Sequence, residues 1–379
     1  MTQRIIQFGT SRFLQAHADL FIHEARQQGQ DIGPITVVKT TTGAERQARI
    51  AGFNANSSYP IIIRGLINKQ AVEETIKVSS IDQALIAERD WLELTKLFAH
   101  EAKLIISNVG ESGYALAPDD IAVIPNQAPK SFPAKLLALL HARYLTTAAP
   151  LLILPCELIS NNGQVLRQII EGLVEKWRLD DGFKKYLKSD ITICDTLVDR
   201  IVSEAIEPVG AIAEPYALWA IKRAPDTEIP FTHKSVIVTD DLEPFIRLKL
   251  HILNLGHSFL AEIWQAEKRS AQETVREILA VSDIKHRLTS LYQREIIPGF
   301  AAHNKEKAAQ DYVATTLERF ENPYLNHRLS DIAQNHNLKI QRRVVDFINW
   351  VKLRRPNAVL TSLEDWARLM NQRYSEIRI

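Results

Sequence analysis

The chain changes character near Asp241, and this change constrains the fold more than any other feature. Before it, short apolar runs alternate with helical patterns. After it, amphipathic helical patterns follow one another over 245–265, 270–293, 308–320, 340–353 and 362–377. Alternating strands and helices indicate a parallel sheet covered by helices on both faces. We therefore predict a doubly wound α/β domain over residues 1–241 and a mainly α-helical domain over residues 242–379.

The composition excludes several classes of protein. Of the 379 residues, 46% are hydrophobic and 24% are charged, as in a soluble globular protein. A formal charge of +1 gives no electrostatic basis for binding nucleic acid or a membrane surface, and no apolar run approaches the roughly 20 residues that span a bilayer. Cys156 and Cys194 are too few for a disulfide framework or a cysteine zinc site. With no secretion signal at the start, we expect a cytoplasmic protein without a bound metal.

The first apolar run ends in a tight turn that is typical of a dinucleotide site. Arg4–Phe8 is followed by Gly9 and then by a helical pattern. Such a turn presents backbone N–H groups and the positive end of a helix dipole to a pyrophosphate. Ser11 and Leu14 stand where the G-x-G-x-x-G fingerprint has its second and third glycines. The residues therefore leave two interpretations open, a Rossmann-type nucleotide site and an ordinary strand–helix turn.

Two further predicted strands end in polar residues. Ile35–Val38 leads into Lys39, with no carboxylate to bond an adenosine ribose. Lys39 could meet the 2′-phosphate of NADP, or it could be a solvated strand end. Lys103–Ser107 leads into the polar run that begins at Asn108. Because the carboxyl ends of parallel strands line the ligand crevice, we expect these residues near a cofactor.

Three polar side chains interrupt the apolar helical pattern of Arg247–Ile263. At roughly 100° per residue, Lys249, Asn254 and His257 fall within one arc of about 140°. A lysine that faces a cleft loses hydration of its charged form, which lowers its pKa and lets it exchange a proton. An amide and an imidazole can hold the oxygen of an alcohol or ketone. The three residues predict a proton-transfer site without a metal, although lysines and histidines on helices are more often surface residues.

The order K-x-x-x-x-N-x-x-H at 249–257 resembles the signature of the mannitol dehydrogenase family, the polyol-specific long-chain dehydrogenases. Similar segments of that family match FGTSRFLQAH (8–17), NVGESGY (108–114), SFPAKL (131–136), PCELI (155–159) and TLVDRIV (196–202). Within the family, the last three look most like the altronate oxidoreductases, also called tagaturonate reductases. LNLGH at 253–257 departs from the L-N-G-A-H of that branch.

The resemblance implies roles for single residues. Lys249 would be the general base in alcohol oxidation and the general acid in reduction, and Asn254 and Asn162 would hold the reacting oxygen while His257 positions it. The residues implied for the cofactor are Gly9, Thr10, Ser11, Arg12, Phe13, Lys39, Asn108 and Glu111. Those implied for the substrate are Asp199, Arg200, Lys339 and Arg343.

The implied reaction is hydride transfer between NAD, or alternatively NADP, and a small sugar acid or polyol. The leading substrate is a tagaturonate-like keto hexuronate that is interconverted with its sugar-alcohol acid. A dehydrogenase of a polyol or a polyol phosphate, such as mannitol or mannitol 1-phosphate, is the alternative enzyme. A non-catalytic NAD(P)-binding sensor is the alternative from another class, and the intact Lys–Asn–His set argues against it. We expect a monomer or a homodimer.

Overall fold

The chain forms two compact units in a computed structural model that describes residues 4–41 and 47–376. The first unit combines the residues up to Ile63 with Glu74–Leu242, and the second combines Arg64–Glu73 with the residues from Glu243 onward. The sequence predicted units over 1–241 and 242–379. In the structure, Arg64–Glu73, the tip of a β-hairpin, groups with the second unit. Within the second unit, the Arg64 guanidinium lies over the Tyr324 ring, 5.1 Å from its centroid. In the described ranges, no helix is long and apolar enough to span a membrane.

The strands of the described chain form three sheets. In chain order they are β1 (Arg4–Phe8), β2 (Ile35–Lys39), β3 (Tyr59–Ile67), β4 (Gln70–Val78), β5 (Ile81–Ile86), β6 (Ala102–Ser107), β7 (Leu151–Pro155), β8 (Ile191–Ile193), β9 (Thr196–Asp199), β10 (Val202–Ala205), β11 (Ala211–Ala213), β12 (Leu218–Lys222) and β13 (Val236–Thr239). The sheet orders are β5-β2-β1-β6-β7-β8, β10-β11-β3-β4 and β13-β12-β9.

The six-stranded sheet is parallel and doubly wound. The chain proceeds outward from β1 to β2 and β5, then returns to β6 on the other side of β1 and proceeds outward again. The strand order therefore reverses between β1 and β6, which is where such folds bind ligands. This confirms the predicted fold class, and β1 coincides with the predicted strand.

Alternation of side chains along the central strands produces two hydrophobic cores in the first unit. Ile5 packs into one core, whereas Ile6 and Phe8 pack into the other. Leu104 and Ile105 of β6 divide in the same way. Because helices cover both faces, these strands are apolar at nearly every position. The helices of this unit are α1 (Arg12–Gln15), α2 (Ala18–Gln27), α3 (Gln47–Ala55), α4 (Trp91–His100), α5 (Phe132–Thr146), α6 (Asn162–Lys176) and α7 (Asp181–Ser189), with a 3₁₀ turn at Glu111–Tyr114.

The predicted first helix is interrupted. His17 leaves helical dihedral angles between α1 and α2, with φ −127° and ψ −94°. Its ring is fully buried against Phe13, Phe21 and Trp219, at centroid distances of 4.7, 4.5 and 5.6 Å. Burial of an aromatic ring at this position explains the break that periodicity alone did not show.

The described part of the second unit is helical and contains three π-helical segments. Its elements are α8 (Glu243–Leu248), π1 (Lys249–Asn254), α9 (Leu255–Ala266), α10 (Val275–Leu279), α11 (Ser282–Leu291), π2 (Tyr292–Ile296), α12 (Ile297–Ala301), α13 (Glu306–Phe320), α14 (Leu329–Ile332), α15 (His336–Ile340), π3 (Gln341–Val345), α16 (Asp346–Arg354) and α17 (Thr361–Glu376). The helix predicted over 245–265 corresponds to α8, π1 and α9, which follow one another without a break and form one helical rod. The end of the helix predicted over 362–377 lies outside the described residues.

Tyr292, at the start of π2, packs tightly against α9. Its hydroxyl donates a hydrogen bond of 2.9 Å to the Ile252 carbonyl oxygen in π1. A Cβ at position 256 would overlap this hydroxyl, so Gly256 is the residue that lets the two helices approach. The glycine that stands at 256, where the family pattern has alanine, thus makes room for this tyrosine.

Asp19 is a buried carboxyl group in the first unit, and burial raises its pKa from 3.8 to about 7. Its Oδ2 accepts a hydrogen bond from the Tyr59 hydroxyl at 3.1 Å. Among the described residues, Asp19 Oδ1 and the neighbouring Gln7 Oε1 are both buried without a partner. A proton on Asp19 avoids burying a charged carboxylate, and that burial is the main cause of the raised pKa.

Protonation of Asp19 predicts a stability that falls as the pH rises. The pKa is higher in the folded state than in the unfolded chain, so the folded state holds more protons between pH 4 and 7. The free energy of unfolding should fall across that range, by up to about 4 kcal/mol. In Asp19→Asn this part of the pH dependence should disappear, as measured by urea unfolding at pH 5 and pH 8. Exposed Asp31→Asn is the control, and an unchanged pH dependence in Asp19→Asn would contradict the assignment.

Candidate active site

The turn after β1 has the geometry of a dinucleotide-binding turn. Gly9 has φ +115°, and a Cβ there would overlap the Asn108 carbonyl oxygen at the end of β6. Ser11 caps α1 by accepting from the Leu14 N–H at 3.2 Å, and its hydroxyl donates to Asn108 Oδ1 at 3.1 Å. Asn108 in turn donates to the Cys156 carbonyl at 2.7 Å. The ends of β1, β6 and β7 are thus joined where the strand order reverses, and the cradle at Gly9 fits a pyrophosphate.

Other residues predicted for the cofactor surround this turn. Thr10 is buried, and its carbonyl oxygen accepts a hydrogen bond of 2.8 Å from Arg49, a cation that sequence reasoning missed. Arg12 is exposed, and Phe13 is half-buried. The side chain of Glu111 lies outside the described part of the structure.

Lys39 is buried at the end of β2. Its ammonium group donates to the Thr41 carbonyl oxygen at 2.8 Å. This bond uses one of the three N–H groups of the ammonium, so by itself it does not decide between a ribose and a 2′-phosphate as the neighbour. Arg46, the neighbouring cation of the same loop, lies outside the described residues.

Glu157 is a buried carboxyl group at the same sheet edge that sequence reasoning missed. It accepts hydrogen bonds from the Ser107 and Tyr114 hydroxyls, at 3.1 and 3.0 Å, and from the Val109 N–H at 3.0 Å. Burial raises its pKa, and the three donors oppose that shift. Glu157 follows β7 directly, so the strand-end rule that selected Asn108 would have found it.

Asn162, which the resemblance implies for the reacting oxygen, is engaged through its amide by the protein itself. The amide nitrogen lies 3.1 Å from the carbonyl oxygens of Pro155 and Glu157 and 3.2 Å from that of Thr196. The amide oxygen accepts from the N–H groups of Gly163 and Thr196, both at 2.9 Å. The side chain is also buried. In this arrangement Asn162 joins β7, α6 and β9, and it has no donor left for the oxygen of a substrate.

Asp199 and Arg200, both predicted for the substrate, belong to the first unit. Asp199 is buried at the end of β9. The Arg200 guanidinium donates to the Glu214 carbonyl oxygen at 2.9 and 3.0 Å and to that of Ala16 at 2.6 Å. Burial lowers the pKa of Arg200 to about 10, which leaves it charged at neutral pH. These bonds connect the β9–β10 region to the break between α1 and α2.

Lys249 and Asn254 are the first and last residues of π1, and this changes the arc expected for them. In an α-helix, residues five apart lie about 140° apart around the axis. In a π-helix, the backbone hydrogen bond joins residues five positions apart, so residue i+5 lies about one turn above residue i. Lys249 and Asn254 therefore lie closer to a common face than α-helical geometry allows. Both are half-buried.

His257 follows one turn later, in α9. Its buried ring lies 4.5 Å from the Phe320 ring and 4.8 Å, edge to face, from the His327 ring. Within the described chain, its Nε2 has no hydrogen-bond partner. Burial, followed by the positive charges of neighbouring residues, holds the pKa of His257 well below its usual value. The neutral imidazole has an unused nitrogen that could meet a hydroxyl or carbonyl group.

The two C-terminal candidates bond to backbone atoms of the second unit. Lys339 donates to the Ile332 carbonyl oxygen at 2.7 Å. Arg343, in π3, donates to the Asn254 carbonyl oxygen at 2.9 Å and to the Ser258 hydroxyl at 2.8 Å. The structure thus brings Arg343 to Asn254, although as a neighbour of its backbone. Within the described ranges, no group of three or more His, Cys, Asp or Glu side chains could hold a metal ion.

Comparison with known families covers both units. The sequence profile of the "Mannitol dehydrogenase Rossmann domain" matches residues 3–231, and that of the "Mannitol dehydrogenase C-terminal domain" matches residues 241–370. The chain belongs to the mannitol dehydrogenase family. This membership confirms the predicted fold class and, at the level of the family, the prediction of an NAD-dependent oxidoreductase.

Individual members of the mannitol dehydrogenase family are similar over most of the chain. The altronate oxidoreductase of Halalkalibacterium halodurans is 29% identical over 371 residues, which cover 92% of this chain and 71% of that protein. Substrate-free D-sorbitol dehydrogenase has a TM-score of 0.76 at 17% identity, covering 91% of this chain and 75% of that one. Pseudomonas fluorescens mannitol 2-dehydrogenase, in complex with NAD and D-mannitol, has a TM-score of 0.71 at 18% identity, covering 92% and 75%. The two structures share the fold.

Proposed function

We propose that this protein interconverts a tagaturonate-like keto hexuronate and its sugar-alcohol acid, with NAD as the cofactor and without a metal. The similarity to altronate oxidoreductase favours a sugar acid as the substrate. The observation that carries the chemistry is π1, which brings Lys249 and Asn254 towards a common face ahead of His257. A lysine, an amide and a neutral imidazole are together sufficient for proton transfer at an alcohol carbon.

Lys249 acts as the general acid and base in this proposal. In oxidation its amine accepts the hydroxyl proton, and in reduction its ammonium returns a proton to the forming alkoxide. The Asn254 side chain and the unused His257 Nε2 would hold the reacting oxygen and fix its orientation. Asn162 is not part of this set, because the backbone of the first unit uses its amide.

The residues of the first unit fit the cofactor. The Gly9 turn and the joined ends of β1 and β6 provide the cradle, and the complex of mannitol 2-dehydrogenase with NAD favours the same dinucleotide. When bound, NAD supplies the hydride acceptor and NADH the donor. Because the mannitol 2-dehydrogenase complex holds NAD, we expect NADH to be preferred over NADPH.

The test is a set of initial rates with NADH or NADPH in the presence of a chelator. The substrates are tagaturonate, fructuronate, fructose and fructose 6-phosphate, so that the acid, the uncharged ketose and the phosphate compete directly. We expect the highest kcat/KM with tagaturonate and NADH. A preference for fructose or fructose 6-phosphate would instead establish the polyol or polyol phosphate enzyme. Nucleotide binding without turnover of any ketone would favour the sensor.

A further inference from the structure

Two of the π-helical segments of the second unit hold each other through reciprocal hydrogen bonds. The Arg343 side chain of π3 donates to the Asn254 carbonyl oxygen of π1 at 2.9 Å. The His251 ring of π1 in turn bonds the Arg343 carbonyl oxygen of π3 at 3.0 Å. The Arg343 side chain thus binds the backbone of π1, and the His251 side chain binds the backbone of π3. We call this pair, His251 and Arg343, the π-lock.

The direction of each hydrogen bond follows from the donors. Arg247 lies 3.0 Å from His251 Nε2, and a guanidinium can only donate. His251 Nε2 is therefore the acceptor, and its proton lies on Nδ1, which points at the Arg343 carbonyl oxygen. Burial lowers the pKa of His251 to about 3, so the ring stays neutral in this tautomer. Phe347 and Trp350 pack against it, with ring centroids 5.1 and 6.2 Å away.

The Arg343 bond of the π-lock is made to a backbone carbonyl oxygen of π1. A π-helical segment interrupts the regular bonding of carbonyl oxygens to the residue four positions ahead. In π1, the Ile252 carbonyl oxygen accepts from Tyr292 and the Asn254 carbonyl oxygen accepts from Arg343. These donors from π2 and π3 bind carbonyl oxygens of π1 from outside the helix, in addition to the backbone bond that the Ile252 carbonyl oxygen accepts from the Leu255 N–H. They favour the π form over a return to α-helix. A return would rotate Asn254 away from Lys249.

We propose that His251 and Arg343 are positioning residues, which keep π1 in its π-helical form and thereby hold the Asn254 side chain on the same face as Lys249. This inference rests on the proposed role of Lys249 and Asn254. It assigns Arg343 a task different from direct contact with a substrate, because its Nη1 binds the Asn254 carbonyl oxygen and the Ser258 hydroxyl. His251 lies inside the K-x-x-x-x-N-x-x-H motif. In this proposal it helps to position Asn254 through its bond to the backbone of π3.

Steady-state kinetics of Arg343→Met, His251→Leu and their double variant test the π-lock. Each single variant should lower kcat about 10²-fold, because a misplacement of about 1 Å is enough for such a loss. The KM for NADH should stay unchanged. The double variant should be no slower than the slower single variant, since either change opens the same lock. Arg343→Lys, which keeps a cation on a shorter arm, should recover part of the rate. Arg342→Met is the matched control, because Arg342 is the exposed neighbour in π3.

Three kinetic outcomes would overturn the inference. Arg343→Met could keep kcat within about twofold of wild type while Lys249→Ala is inactive. The losses of the two single variants could multiply in the double variant, which would indicate separate roles. Arg343→Met could also raise the KM for the keto acid while kcat stays unchanged, as direct substrate binding requires.

Hydrogen exchange decides the question even if the proposed reaction fails. If wild type turns over no ketone, amide exchange of the peptide that covers 252–258 is compared between Arg343→Met and Arg342→Met. Faster exchange in Arg343→Met alone, by about tenfold or more, supports the lock, because a broken lock frees these amides locally. Equal exchange in the two variants overturns it. A failed substrate and a failed lock are therefore distinguishable.

Discussion

Replacement of Lys249 by alanine is expected to lower kcat/KM for the preferred keto acid by about 10²–10⁴-fold, the usual contribution of a general acid or base. Only Lys249 can exchange the proton in the proposed set, because the Asn254 amide does not titrate and burial keeps His257 neutral. NADH binding, measured by fluorescence titration, should be unchanged, since the residues proposed for the cofactor belong to the first unit. The loss should therefore appear in the chemical step.

The control for this variant is Lys268→Ala. Lys268 is an exposed lysine that follows α9, at the other end of the same helical rod. Its replacement should leave kcat within about twofold of wild type. If Lys249→Ala were to retain most of the rate, the proton would have to come from another group, and the proposed mechanism would be wrong.

Replacement of Asn162 by alanine is expected to destabilise the first unit by about 3 kcal/mol or more. The change removes the amide partner of the buried Glu157 carbonyl oxygen and Thr196 N–H, whereas the Pro155 carbonyl oxygen keeps the Thr196 hydroxyl as a donor. Unsatisfied buried polar groups each cost about 1–3 kcal/mol. Urea unfolding followed by tryptophan fluorescence measures the loss.

Gln164→Ala is the matched control, because Gln164 is an exposed amide in the first turn of the same helix. It should change the stability by less than about 0.5 kcal/mol. The opposite pattern would restore the role first expected from the sequence. If Asn162→Ala kept its stability but lost kcat, we would conclude that the amide acts at the substrate oxygen. Its hydrogen bonds to the backbone would then contribute little to stability.

The central sheet and the nucleotide turn could be predicted because their signals are local. Arg4–Phe8 is apolar at most positions and ends at Gly9, and both properties follow from burial on two faces and from the close approach of Asn108. The family signature identified Lys249, Asn254 and His257 for the same reason, since the three residues lie within nine positions. Sequence spacing was sufficient for a prediction where all the residues concerned lie close together in one segment of the chain.

The rest depended on contacts between distant segments. Periodicity assumes 3.6 residues per turn, so it could not reveal that Lys249 and Asn254 span a π turn. That turn is stabilised by Tyr292 and Arg343, which lie 40 and 89 positions from the residues they bond. The hydrogen bonds of Asn162 also join separate segments, because its amide contacts the backbone of Pro155, Glu157 and Thr196, which sequence spacing alone does not bring together.

The pair of Gly256 and Tyr292 restricts the order in which this sequence can evolve. An alanine at position 256 overlaps the Tyr292 hydroxyl, so that mutation is harmful while the tyrosine is present. Tyr292→Phe removes the severest overlap, leaves close contacts of the added Cβ with the Phe320 ring and the tip of the ring at 292, and costs one hydrogen bond to Ile252. Alanine at 256 should therefore be less harmful after the hydroxyl is lost than before. The two sites are epistatic, so the order of the two changes matters for a lineage that acquires both.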